Sequence, residues 1–188
     1  MSRRTAGAEE RLSLAVLGAP GAGKAELLRF VSLRQEVAEP VIWKLGELAY
    51  RRVEWRETDA AGAPVHVTLR CVHGEPVYRA AEDLLVRDAD GVIFVFDVRE
   101  SHLERSWLAL AAAAESARRS GFELMDLPLV IQYHRADMQP GFEVGKMDRW
   151  LGLSAADAVA RVATSGDVPD GDGEVLGALW SRFRRTAE

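Results

Sequence analysis

The residues best equipped for chemistry sit early in the chain, at Gly18-Ala-Pro-Gly-Ala-Gly23-Lys24. Two glycines at this spacing, followed by Lys, match the phosphate-loop pattern, which ordinarily continues with Ser or Thr. Glycines let the backbone curl so that successive N–H groups point at phosphate oxygens. A helix beginning at the loop adds positive potential. The candidate cradle is therefore Gly18, Ala19, Pro20, Gly21, Ala22 and Gly23, with Lys24 supplying a charge for the terminal phosphates. An ordinary Gly-rich turn is the bland alternative, and the strand-turn-helix context favours the cradle. The next residue is Ala25, which has no hydroxyl to ligate Mg²⁺. Other clusters carry less. His66, His73 and Cys71 lack metal-ligand spacing, and no protein metal site is expected. Asp170-Gly-Asp-Gly-Glu174 lacks most ligands of a calcium loop and reads as a flexible acidic loop with helix capping.

The elements that must position the loop follow from periodicity. Leu12–Leu17 is a short apolar run that reads as a buried strand, and Lys24–Leu33 is helical, with Leu27, Leu28 and Val31 on one face. Residues Glu36–Leu48 read as irregular around Pro40. Arg52–Glu57 and Val65–Val72 form a hairpin across Asp59-Ala-Ala-Gly62; Val65, Val67, Leu69 and Cys71 share one face. Helices are expected over Tyr78–Arg87, Leu103–Ser120, Val144–Leu151 and Gly173–Arg185. Strands are expected at Val92–Phe96, Leu129–Tyr133 and Val159–Thr164. Alternating strands and helices after one early hairpin indicate a mostly parallel sheet between two helix layers. Trp107, Trp150 and Trp180 read as core residues, and Trp43 as either core or an interface anchor.

At 188 residues the chain fits one domain, with a core over about residues 12–185 and short flexible termini. Hydrophobic residues make up 48%, which excludes a mostly disordered chain. With 24 Lys and Arg against 29 Asp and Glu, the net charge of −5 argues against nonspecific nucleic-acid binding. No apolar run approaches a membrane span, and residues Met1–Glu10 lack the apolar segment of a secretory signal. Neither a myristoylation Gly nor a prenylation Cys is visible, and Cys71 is the only cysteine. These features point to a cytoplasmic protein.

Three further stretches resemble the bacterial MglA family of small Ras-like GTPases. Val72-His-Gly-Glu-Pro-Val-Tyr78 is similar to that family's switch II segment. Asp90-Gly-Val-Ile-Phe-Val-Phe-Asp97 is similar to its central strand. Leu127-Pro-Leu-Val-Ile-Gln-Tyr-His-Arg-Ala-Asp137 is similar to its strand and base-reading loop, and Val-Ile-Gln-Tyr is the most specific part. The resemblance covers roughly Leu12–Phe183 and implies a P-loop NTPase fold, a Ras-like three-layer sandwich with one antiparallel hairpin strand. It implies that Asp137 accepts from the guanine N1–H and N2–H₂ edge, though a turn or helix-cap Asp is the alternative. It places Ala163, Thr164 and Ser165 in the last base-contacting loop and Gly74 at the γ-phosphate. Glu75 takes the place of the Gln that orients the attacking water. Arg51 falls where the family has an intrinsic catalytic arginine, and Arg52 falls near its switch I threonine.

The departures from the family pattern cluster at nucleotide-handling positions. Ala25 and a switch I without Thr remove two metal ligands, and Cys71 is no hard oxygen donor. Glu75 adds negative charge beside the γ-phosphate. His134 lacks the amide that ties the base loop to the phosphate loop, while Arg135 keeps an aliphatic stem able to pack over the base. Three functions follow: a nucleotide-dependent switch, an interaction platform with impaired hydrolysis, or another P-loop enzyme such as a small kinase. Asp137 favours guanine, and no lid-type Arg cluster favours a kinase. The reading is a GTP- or GDP-binding protein with weak or absent Mg²⁺ dependence, slow or absent turnover, and a protein partner. The resemblance makes that partner a roadblock, MglB-like regulator.

Overall fold

The computed structural model describes residues 10–45, 48–58, 62–72, 79–154, 159–166 and 170–186. The early apolar run forms β1 (Glu10–Leu17), buried from Leu14 onward. The glycine loop leads from it into α1 (Lys24–Arg34). Then come β2 (Val41–Leu45), β3 (Leu48–Thr58), β4 (Pro64–Val72), α2 (Arg79–Arg87), β5 (Gly91–Asp97), α3 (Leu103–Arg119), β6 (Leu129–His134), α4 (Val144–Leu151), β7 (Val159–Thr164) and α5 (Asp170–Thr186).

Among the described residues the seven strands form one sheet in the order β2–β3–β4–β1–β5–β6–β7. β1 is parallel to β4 and β5, and the parallel run continues through β6 and β7. Only β3 runs against the rest, antiparallel to both β2 and β4. This is the expected α/β architecture, with a mostly parallel sheet and one antiparallel hairpin strand, consistent with a Ras-like P-loop fold.

Two hydrophobic clusters hold the layers. On one face, Leu27, Leu28 and Val31 of α1 and Val175, Leu176 and Leu179 of α5 pack on Val67 and Leu69 of β4. On the other, α2, α3 and α4 cover Phe94, Phe96 and Tyr133. β5 is buried at every position because helices cover both its faces, which explains its uninterrupted apolar sequence. Along β4, Val65, Val67, Leu69 and Cys71 are buried while His66, Thr68 and Arg70 are half-buried, so the expected alternation holds. Among the described residues no helix is long and apolar enough to cross a membrane.

Three expectations need correction. The stretch expected to be irregular contains β2, an edge strand paired only with β3; Pro40 precedes it and so removes no donor from the ladder. The supposed acidic loop at Asp170–Glu174 is the first part of α5. Trp107 and Trp150 are not core: they are 47% and 52% exposed, and Trp150 lays its ring edge-to-face on Phe96. Trp180, by contrast, is half-buried against the core. The side chain of Trp43 lies outside the described residues.

β1 stands where the connections diverge, with β4 on one side and β5 on the other. In open α/β sheets a crevice at the carboxyl ends of the strands opens at such a point. The glycine loop after β1, Cys71 near the end of β4, Asp97 ending β5, His134 ending β6 and Thr164 ending β7 all meet along this rim.

Candidate functional site

The phosphate loop is shaped by its glycines. Gly18 has φ 141° and lies so close to the Val95 carbonyl that a Cβ would collide with it. Gly23, the residue before α1, has φ 110°, and a Cβ there would meet the His134 ring at 2.7 Å. Both the dihedral and the space therefore demand glycine. Lys24 is buried, and its ammonium donates to the carbonyls of Gly18 at 2.6 Å and Ala19 at 2.8 Å. Burial pulls its pKa below the ordinary lysine value, against the opposing influence of Cys71, Glu82 and Glu26. A cleft of about 280 Å³ opens here, lined by Gly21, Gly23, Lys24 and Ala25 from the loop side and by Arg51 and Cys71 from the sheet.

The base-loop residues come to the same rim. His134 is buried at the end of β6. Gln132 Nε2 donates to Thr164 Oγ1 at 3.0 Å, which leaves the hydroxyl proton free for His134 Nδ1, 3.1 Å away. Burial, followed by the charge of Arg135, lowers the His134 pKa and favours this neutral ring. Arg135 adopts a left-handed conformation, φ 62°. Its guanidinium donates to the Gly21 carbonyl at 3.0 Å and to Asp97 Oδ2 at 2.7 Å. Asp97 also takes a bidentate grip from Arg99, with Nη2 to Oδ2 at 2.6 Å and Nε to Oδ1 at 3.0 Å. Burial pushes the Asp97 carboxyl up, but the Arg99 hydrogen bonds and the Arg135 charge outweigh it and hold the group below its usual range.

Although His134 lacks the expected amide, the base loop is tied to the phosphate loop by the Arg135–Gly21 hydrogen bond and by the His134 ring over Gly23. Asp137 is exposed, and its Oδ1 accepts from the Gly166 N–H at 3.0 Å. Gly166 packs beside the Arg135 stem and the Met138 sulfur, where an added Cβ would sit in ordinary contact with both. The contact between Gly166 and Asp137 was not expected from the sequence. Thr164 is buried within the network, and Ala163 is exposed one position earlier. Gly74 and Glu75 lie outside the described residues.

Strand alternation separates the two arginines. Arg51 lines the cleft, while Arg52 pairs with Glu54 at 3.2 Å. The cleft does not suit a protein-held Mg²⁺. Ala25 offers a methyl group, and burial pushes the Cys71 thiol up to about 11, leaving a neutral, soft ligand. Among the described residues that line the cleft, the carboxylate is that of Glu26, which is exposed. Among the described residues no group of three or more His, Cys, Asp or Glu side chains is placed to hold a metal ion.

No protein-family model matches the chain. Over 83 residues it is 30% identical to the mutual gliding-motility protein MglA of Myxococcus xanthus (strain DK1622). The match covers 44% of this chain and 43% of that protein, so the chain spans less than half the length of this relative.

Proposed function

We propose that this chain is a single-domain, MglA-like guanine-nucleotide-binding protein that acts in the cytoplasm through a protein partner, in polarity or motility regulation, with impaired hydrolysis. One observation carries the reading. The glycine loop opening α1 is joined by the Arg135–Gly21 hydrogen bond to the turn that carries Asp137, whose carboxylate is exposed. A nucleotide needs this pairing of an anion cradle with an edge-reading carboxylate. In the proposed complex the β-phosphate sits on the loop amides, Lys24 turns to the terminal phosphates, and Asp137 accepts from guanine N1–H and N2–H₂. A roadblock-type regulator is the proposed partner, on the likeness to MglA.

The test is the nucleotide content of protein purified without added ligand, read by chromatography after denaturation. Bound GDP or GTP supports the reading. Bound ATP or ADP overturns the guanine assignment, and empty protein that also fails to bind added guanine nucleotide overturns the function. A second reading, an active cycling switch, is favoured by one observation: Arg51 lines the cleft, where an arginine can meet developing phosphate charge. Single-turnover hydrolysis separates the two.

A further inference from the structure

We propose that Arg51 and Lys24 form a two-cation phosphate site that takes the polyphosphate of a guanine nucleotide without a divalent cation, Arg51 supplying charge that a protein-held Mg²⁺ would otherwise bring. The inference deepens the guanine-nucleotide reading and rests on it.

The first argument is position. β3 pairs Arg51 with Cys71 of β4 and with Ile42 of β2. Two and four residues on, Val53 and Trp55 point into the core beneath α1, so Arg51 shares the face on which α1 begins. Lys24, Arg51 and Cys71 all line the cleft, and the charges of Lys24 and Arg51 both act to lower the Cys71 pKa against its burial. Lys24 approaches the cleft from the start of α1 and Arg51 from the sheet.

The second argument is availability. Among the described residues Arg51 makes no side-chain hydrogen bond or ion pair, whereas Arg52 is taken up by Glu54. A half-buried guanidinium on the same cleft wall as a buried ammonium favours an anionic ligand. The planar donor fork suits two phosphate oxygens at once. Nearby carboxylates reduce but do not cancel this charge. Glu26 is exposed on the first turn of α1, where the helix N-terminus offsets it, and burial pushes Glu82 toward its neutral form.

The third argument is the donor set. Ala25 has only a methyl group and Cys71 a neutral thiol, so neither offers a divalent ion the hard oxygen ligand it prefers. Removing such an ion breaks no bond to these two side chains, and the Arg51 guanidinium remains.

The experiment uses the full chain and fluorescent methylanthraniloyl-GDP and -GTP, titrated in excess Mg²⁺ and in excess EDTA. Inorganic tripolyphosphate serves as a base-free competitor. Wild type should bind with Kd values within about threefold of each other in the two conditions. Arg51→Gln should lose about tenfold or more in EDTA, and Arg51→Lys should lose less, since it keeps the charge without the fork. Circular dichroism melts of both variants confirm that they fold. Guanine nucleotide that binds in Mg²⁺ and is released by EDTA overturns this inference alone. So does an Arg51→Gln variant that binds like wild type in EDTA. Tripolyphosphate binding that depends on Arg51, without any guanine-nucleotide binding, keeps the anion site and overturns the base reading. Failure of every ligand in both conditions overturns both.

Discussion

In the proposed complex Lys24 supplies charge and Asp137 reads the base edge, and substitutions should divide in the same way. Lys24→Ala removes a buried ammonium aimed at the loop and should weaken binding of any nucleoside triphosphate by roughly tenfold to a hundredfold. Asp137→Asn is more selective. Its amide oxygen can still accept from Gly166, so the loop keeps its shape, but the NH₂ group now faces the guanine donors. GTP affinity should fall by about tenfold while ATP affinity is unchanged. Equal losses for the two bases would reduce Asp137 to a turn former. His134 gives a different kind of prediction. Its pKa is depressed by burial, so its folded pKa lies below the unfolded value near 6.5. Stability from the neutral ring is complete above that unfolded value and is lost as pH falls toward the folded one. His134→Asn removes the titration and can still hydrogen-bond Thr164. The fall in Tm between pH 7.5 and pH 5 should therefore be smaller in the variant, and an unchanged difference would show that His134 does not titrate in this range.

At the scale of elements, the start of α1 is tightly specified. No side chain caps this helix; Gly23 occupies the cap position in a left-handed conformation beneath the His134 ring. Gly23→Ala should destabilise the fold by about 1–3 kcal/mol through the dihedral alone, with the ring contact adding to it. Arg135→Ala cuts the hydrogen bond between the β6 loop and Gly21, and should loosen the phosphate loop without unfolding the sheet. Faster hydrogen exchange confined to the segments around Gly21 and Asp97 would confirm this; uniform protection would refute it. Parts of this architecture were legible in sequence because period and burial agree. β5 is apolar up to its closing Asp97, β6 opens on the apolar run Leu129–Ile131, β4 alternates through Cys71, and α4 and β7 coincide with their expected ranges. β2 was hidden because a strand paired on one side needs little pattern and Pro40 reads as a breaker. The beginning of α5 was hidden because Asp and Gly favour turns, yet the helix extends through them. The anchoring role of Arg135 and the place of Gly166 could not be read from spacing. Arg135 reaches Gly21 across 114 positions, and no local pattern encodes such a contact.

For the molecule as a whole, the question is whether a site assembled this firmly also turns over. Hydrolysis in Ras-like folds relies on a metal held by hydroxyls from the phosphate loop and switch I, and on an amide that orients water. This chain has Ala25 at the first position, no Thr between Ala25 and Arg56 for the second, and Glu75 where the amide would stand. Losing one electrostatic element of this kind costs roughly 3 kcal/mol, about a hundredfold in rate. Combined losses are not additive, but they lower an already slow reaction further. Arg51 lines the cleft, and in the proposed complex its guanidinium would meet the charge of the bound nucleotide as well as that of the transition state. Charge that binds ground state and transition state equally improves affinity without raising the rate. The expected outcome is a protein that retains nucleotide and hydrolyses it very slowly, with the same rate in Mg²⁺ and EDTA. Single-turnover assays on wild type and on an Ala25→Thr/Glu75→Gln variant test this. The double variant should gain Mg²⁺ dependence and a faster rate, because it restores a metal ligand and removes a negative charge near the reacting phosphate. Fast, Mg²⁺-dependent hydrolysis by the wild type would mean that Arg51 and phosphate-held metal suffice for chemistry, and the molecule would then be a cycling switch.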